Sequence, residues 1–361
     1  MAPLYQQVKQ ALLADIAAGR YSPDRPFITQ REICERFDVS HATAVRALND
    51  LAAEGHLVRR RGQGTFVADR PAPAKRTIAC IVQNHGPHVA QLVTGVEAAC
   101  ADLGHRMFLR HCEGDATREE EALRQALDEG VDGIIIYPAE GASGGYDEVR
   151  RRGVPLVMLD RYLPELASDA VLADNFAAGE LLTDELIAAG HTVIETLWDE
   201  VDVSSVRDRL AGHVHSLRQH GIPVRPDLTV LRRYREAAPS VRREWLAGLL
   251  DGSRPPTVFL CANGYVLADA AQDLIALGYE IPGEVDLAGM DDAGPFDVLP
   301  LTAAAVVLPS REMGDRAMRL LHDRITGEGE GPEQVVLPIS VRTRQSAPAH
   351  LRVVGAPREP A

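Results

Sequence analysis

His41, Thr43 and Arg46 fall at helical spacing, and they are residue types that read nucleic acid; an Arg pairs bidentately with guanine O6 and N7. Arg59-Arg60-Arg61 adds charge suited to phosphate contacts. Elsewhere the spacing starts a chemistry and does not complete it. His85-x-x-His88 is half a metal site, but no Cys or carboxylate stands at ligand spacing, so both histidines are expected to line a pocket and no metal is expected. Gly141-Ala142-Ser143-Gly144-Gly145 could cradle a phosphate ahead of a helix, yet it lacks the Lys and spacing of a P-loop and reads as a flexible loop. The text after Val82 is Gln83-Asn84-His85-Gly86-Pro87-His88, with no G-x-G-x-x-G for a dinucleotide. There is no G-x-S-x-G and no nucleophile beside an obvious base, so no cofactor and no catalytic residue is expected. The five cysteines are scattered without a C-x-x-C pair and read as reduced, mostly buried thiols.

Local patterns say which elements must hold the basic residues. Leu4, Val8, Leu12 and Ile16 recur every four residues and mark one face of a helix that stops at Gly19. Thr29-Gln30-Arg31-Glu32 fits a capping box opening a short helix through Phe37. Asp38-Val39-Ser40 makes a turn, and Ser40 caps a third helix with an apolar face of Val45, Leu48 and Leu51, ended by Gly55. This is a helix-turn-helix. Leu57 to Arg60, Arg61-Gly62-Gln63-Gly64 and Thr65-Phe66-Val67 then make a hairpin, a wing.

Charge divides the chain at the same place. Residues 1–76 carry twelve Lys and Arg against eight Asp and Glu, which leaves 26 against 44 for the remainder. A basic module precedes an acidic one that would repel a phosphate backbone. Asp69 to Arg76, with two prolines and no large apolar residue, reads as an extended linker. The expected domains are 1–68, a linker at 69–76, an acidic domain at 77–350 and a tail at 351–361. No apolar stretch approaches the about 18 residues that span a bilayer, and the N-terminus lacks the pattern of a secretory signal, so a cytoplasmic protein with no membrane partner is expected.

The ordered series Pro3-Leu4-Tyr5, Thr29-Gln30-Arg31-Glu32-Ile33, Val39-Ser40-x-x-Thr43, Ala47-Leu48-x-x-Leu51-x-x-Glu54-Gly55 and Gly62-x-Gly64-Thr65-Phe66-Val67 resembles the winged helix of GntR-type transcriptional regulators. The resemblance implies a third helix in the major groove and a wing at the minor groove. It makes Arg31, Ser40, His41, Thr43, Arg46, Arg59, Arg60, Arg61 and Gly64 the candidate contacts to double-stranded operator DNA, with Gly64 at the wing tip. This chain has His41 and Val45 where many members have Arg, and Arg46 one place later.

Past the linker, β-branched strands at Ile78–Val82, Ile134–Tyr137, Leu156–Leu159, Val193–Leu197 and Val258–Cys261 alternate with helices at Val89–Leu103, Arg118–Glu129, Gly179–Ala189 and Val266–Leu277. Such alternation predicts an α/β fold of doubly wound parallel sheets with ligands at the strand carboxyl ends. The stretch is too long for one sheet and fits two sheets facing a cleft. Val131-Asp132-Gly133-Ile134-Ile135, Val154 to Arg161, Asp174-Asn175, Gly190-His191, Arg209-Leu210-Ala211-Gly212, Cys261-Ala262-Asn263, Gly289-Met290-Asp291-Asp292 and Leu301-Thr302 resemble the effector domain of LacI/GalR regulators, similar in fold to periplasmic sugar-binding proteins. A GntR head on this domain resembles the arabinose-type repressors. The resemblance implies that Asp160, Arg209, Asn263 and Asp291, with Arg161 beside them, face an inter-lobe cleft and hydrogen-bond a small polar effector such as a sugar. Trp198-Asp199-Glu200 replaces the family's Gly-Gly, and Trp198 could stack on a sugar face or a base; Gly264 replaces an expected Asp.

The function expected is a ligand-responsive repressor with no chemistry of its own. One reading helix per head leads to the expectation of a homodimer on a roughly palindromic site. The alternative is an enzyme on a two-lobed α/β scaffold with a basic N-terminal domain.

Overall fold

The computed structural model describes residues 4–60, 63–68, 75–229, 231–291, 302–329 and 331–344. The expected contact Arg61, linker residues 69–74, Asp292, Leu301 and the tail 351–361 lie outside the described residues. The chain divides into two compact units, one of residues up to Arg76 with Ala101–Arg106, the other of the rest from Thr77 on.

In the first unit, α1 (Leu4–Ala17), α2 (Gln30–Phe37) and α3 (His41–Ala53) precede a hairpin of β1 (Leu57–Arg60) and β2 (Gly64–Val67). The capping box forms: Thr29 Oγ1 accepts from the Glu32 amide and Glu32 Oε2 accepts from the Thr29 amide at 2.7 Å. Asp38 takes a left-handed conformation with φ 50° and turns the chain into Ser40, whose hydroxyl caps α3 at the Thr43 amide. Val8, Leu12, Ile33, Ala44, Ala47, Leu48, Leu51 and Leu57 share one core. Val45, expected inside, is only half-buried; Ala44 and Ala47 take that face, because α1 packs closely enough on α3 to favour small residues there. The hairpin is antiparallel with Leu57 opposite Val67 and Arg60 opposite Gly64.

The second unit starts with β3 (Thr77–Val82), α4 (Pro87–Asp102), β4 (Arg106–His111), α5 (Ala116–Asp128), β5 (Gly133–Ile136), α6 (Tyr146–Arg152), β6 (Leu156–Leu159) and β7 (Asp169–Ala173). It continues with α7 (Asn175–Ala188), β8 (Ile194–Leu197), α8 (Ser204–Gln219), a 3-10 turn at Tyr234–Glu236, α9 (Pro239–Leu250), β9 (Val258–Cys261), α10 (Gly264–Ala276), β10 (Asp286–Gly289) and β11 (Thr302–Val307). Last come α11 (Ser310–Thr326), β12 (Gln334–Leu337) and β13 (Ser340–Thr343).

Six strands pair in the order β12-β7-β6-β5-β3-β4 and five in the order β13-β11-β10-β9-β8. Each sheet with its helices is a lobe. Among the described residues the chain passes between lobes three times, at Asp174, at 308–309 and at 338–339. Strands β3, β5, β6, β7 and β12 run parallel, as do β8 to β11; β13 closes the second sheet antiparallel. The central strands are buried on both faces, which is why they read as continuous apolar runs.

Helix pairs in both lobes meet backbone to backbone. A Cβ on Gly179 of α7 would lie 1.9 Å from the Arg209 carbonyl oxygen of α8, and one on Gly212 would lie 2.0 Å from that of Phe176. Gly95 of α4 and Gly314 of α11 make the same reciprocal approach at 2.0 Å in the first lobe. No described helix is long and apolar enough to cross a membrane.

Candidate functional site

The parallel strands deliver their carboxyl ends to the gap between the lobes, and the residues just beyond them wall a cavity of about 210 Å³. Asp160 follows β6 with φ 68°, a left-handed conformation uncommon for Asp, and is 2% exposed. Its Oδ1 lies 2.9 Å from His88 Nε2 in the first turn of α4, and His88 Nδ1 lies 2.8 Å from Ser310 Oγ at the second lobe crossing. Burial alone would push the Asp160 carboxyl up; the imidazole beside it, with Arg209 and Arg161, overrides this and holds it well below the usual carboxylate range. Burial pushes His88 down, but Asp160 and then Asp291 outweigh that and raise it.

Arg161 reaches across the gap. Its Nη1 and Nη2 each donate to a Glu200 oxygen at 2.7 Å, Nη2 also donates to the Tyr137 hydroxyl at 2.8 Å, and the guanidinium lies 4.5 Å over the Tyr137 ring. Arg209, on α8, donates from Nε to Asn175 Oδ1 at 2.8 Å and from Nη1 to the Ala262 carbonyl at 3.3 Å. Asn263 Oδ1 caps α10 by accepting from the Val266 amide at 2.9 Å, and Asp291 lines the wall beyond β10. A second set of bonds ties the lobes beside the cavity. Glu140 Oε1 accepts from the Val201 and Asp202 amides at 3.0 and 2.6 Å, Glu140 Oε2 accepts from Arg233, and the Tyr162 amide donates to Ser204 Oγ.

Two expected ligand contacts do not wall the cavity. Trp198 is 1% exposed, with its indole Nε1 donating to Thr196 Oγ1 at 3.0 Å, so its ring packs in the second lobe and cannot stack on a ligand. The His85 ring stacks on His111 at 3.7 Å, outside the wall. Among the described residues no three His, Cys, Asp or Glu side chains group as metal ligands.

On the first unit, α3 turns Ala44, Ala47, Leu48 and Leu51 inward and leaves His41, Ala42, Arg46 and Asn49 exposed. His41 Nε2 lies 2.9 Å from Gln30 Oε1, Thr43 Oγ1 lies 2.9 Å from Ser40 Oγ, and the Arg46 guanidinium sits 4.0 Å over the Tyr5 ring. Arg31 is exposed and bonded to Glu35 at 2.9 Å. In the wing, Arg59 donates to Asn49 Oδ1 at 2.6 Å, Arg60 lies 4.3 Å over Phe66, and Gly64 takes φ 109°, which only glycine adopts freely.

These two constructions match known proteins. Residues 4–67 match the gntR family of bacterial regulatory proteins, and residues 183–347 match the periplasmic binding protein-like domain. An arabinose metabolism transcriptional repressor of Geobacillus stearothermophilus is 30% identical over 336 residues, spanning 88% of this chain and 90% of its own. The chain belongs to this GntR-headed, LacI/GalR-like family of transcriptional repressors. The ribose operon repressor of Haemophilus influenzae is 26% identical over 75% of this chain and 81% of its own. The structure of the transcriptional regulator CelR in complex with cellobiose superposes with a TM-score of 0.65 at 25% identity, covering 86% of this chain and 92% of that one. These relatives are regulators, and this repressor is not an enzyme.

Several site residues carry no family signal. Glu200 and Tyr137, which hold Arg161, come from a loop and a strand end remote in sequence, and only the carboxylate within Trp198-Asp199-Glu200 hinted at the first. Tyr5 and Gln30, which hold Arg46 and His41, fall within the quoted GntR motifs, which assign them no role, and Asn49, which holds Arg59, shows no pattern of its own.

Proposed function

We propose that this repressor binds operator DNA through α3 and its wing, and that a small polar molecule such as a sugar, held between the lobes, modulates that binding. The observation that carries the reading is one cavity, between lobes joined by three crossings, that gathers the buried Asp160, Arg161 and Arg209 with Asn263 and Asp291. Carboxylates accept pairs of hydroxyls, Arg donates a fork, and a low-dielectric gap strengthens each contact. Names of relatives support it: arabinose and ribose operon repressors, and a CelR–cellobiose complex.

On the DNA side, Arg31, Ser40, His41, Thr43, Arg46, Arg59, Arg60, Arg61 and Gly64 make the contacts, within a domain of residues 1–68. A linker at 69–76 joins it to an effector and dimerisation domain at 77–350. The protein works in the cytoplasm as a homodimer on a two-fold symmetric operator. A ligand shifts such a switch only by its difference in affinity for open and closed lobes. Calorimetry against monosaccharides, sugar acids, polyols and nucleosides, followed by titration of labelled promoter DNA with each binder, tests it. A protein that binds none of them, or binds DNA identically with and without its ligand, overturns the reading.

A further inference from the structure

Among the described residues three cationic side chains and three carboxylates wall the cavity: His88, Arg161 and Arg209 against Asp160, Glu200 and Asp291. Glu200 is the least buried member of the Arg161 pair, with 35% of its side chain exposed against 5% for the arginine. We propose that Glu200 sets the charge class of the ligand: by taking both Nη groups of Arg161 it reserves the cavity for uncharged polyhydroxylated molecules and turns sugar acids away. This rests on the cavity being the effector site.

A carboxylate ligand needs two parallel N–H donors, which a guanidinium supplies best. Arg161 has already spent that fork on Glu200, at 2.7 Å on each side, and Tyr137 takes a further contact. Arg209 is turned to Asn175 and the Ala262 carbonyl. An anion taking a two-pronged contact with the Nη groups of Arg161 would have to displace Glu200 and leave its charge uncompensated at the wall. A neutral polyol need not displace Glu200, since the spare lone pairs of the wall carboxylates accept hydroxyls directly. Without Glu200 the buried guanidinium loses its two-pronged partner, keeps the Tyr137 hydroxyl and lies next to a space open to the cavity, so the same arginine becomes an anion site.

The test is rescue by added carboxylates in the full chain. Thermal melts and calorimetry of wild type, Glu200→Ala and Glu200→Gln are run with sodium formate and D-gluconate, with D-ribose and L-arabinose as neutral probes and NaCl at equal ionic strength as control. Glu200→Ala should melt below wild type and recover by several degrees in formate, while wild type responds no more than to NaCl. Glu200→Gln keeps the bulk and serves if Glu200→Ala fails to fold; it should bind gluconate about tenfold more tightly than wild type does. Wild type binding gluconate as tightly as Glu200→Gln, or a folded Glu200→Ala gaining nothing from formate, overturns the proposal. Formate recovery is independent of the natural ligand, so its failure overturns this assignment alone, whereas failure of every neutral probe counts against the effector reading.

Discussion

Asp160 combines two costs, a left-handed backbone and a fully buried carboxylate, of which the first alone is about 1–3 kcal/mol. His88 offsets them by lying within hydrogen-bond distance and being itself fixed by Ser310. Such a group persists where the surroundings over-determine it, and the same holds for Arg209 between Asn175 and Ala262. Asp291→Ala or Arg209→Ala should therefore abolish the ligand response, at a loss of about 2–4 kcal/mol in ligand binding, while operator affinity stays within twofold; calorimetry and DNA titration of each variant check this. Glu195 in β8 is a separate liability. It is 1% exposed, its Oε2 has no hydrogen-bond partner among the described residues, and burial, with Asp227 adding, pushes its carboxyl up to about 9. The folded state thus keeps a proton that the unfolded chain gives up near 4.5, so stability falls as pH rises from there toward 9. Glu195→Gln should be more stable than wild type by about 1–3 kcal/mol at pH 8 and nearly equal at pH 4, read from denaturant melts. At this scale the family resemblance pointed to Asp160, Arg209, Asn263 and Asp291, and all four line the cavity. It did not show Glu200 or Tyr137, because pairing across a gap leaves no local pattern, and it suggested the wrong role for Trp198, because burial at a strand end depends on the sheet around it.

Among elements, the proposed function has α3 and the wing divide the work on DNA. Arg46 leaves the exposed face of α3 over the Tyr5 ring, whereas Arg60 projects from β1 over Phe66. A guanidinium held flat on a ring loses little further freedom when it binds. Arg46→Ala should cost about 1–3 kcal/mol and relax preference at one base position, while Arg60→Ala should weaken all sequences alike and lower the salt slope by about one; footprinting and salt titration distinguish them. The long or strongly patterned elements were legible: the capping box of α2, the Ser40 cap of α3 and the buried strands β3, β5, β6, β8 and β9 all lie within a few residues of the expected bounds. Caps moved the helix starts. Asp174 opens α7 four residues before the expected Gly179, and Pro87 begins α4 two before Val89. The edge strands β12 and β13 were not legible, since only alternate residues are half-buried and each is four residues long.

For the molecule as a whole, one reading helix per chain meets a two-fold symmetric operator only if two chains associate. Sedimentation should show a dimer at micromolar concentration, free or on DNA, with half-sites about one helical turn or a multiple apart; a monomer under both conditions would falsify this arrangement. Two facing sheets were legible from length and alternation. Their strand orders were not, because β12 returns to the first sheet and β13 to the second from a single stretch of chain, which local periodicity does not encode.

The reciprocal glycines, Gly95 with Gly314 and Gly179 with Gly212, have a mechanical consequence. Where two helices meet backbone to backbone at a glycine, no side chain at that crossing point is left to change rotamer and absorb a displacement. Each such helix pair should then move as one stiff plate, with rotation taken up at the chain segments that cross between lobes. A push of a fraction of an ångström at the cavity wall arrives at the far edge of the plate undamped and, for a rotation about the crossings, magnified by the ratio of lever arms. Replacing any of the four glycines by alanine would wedge a shim into that plate, bending the lever before it is ever loaded.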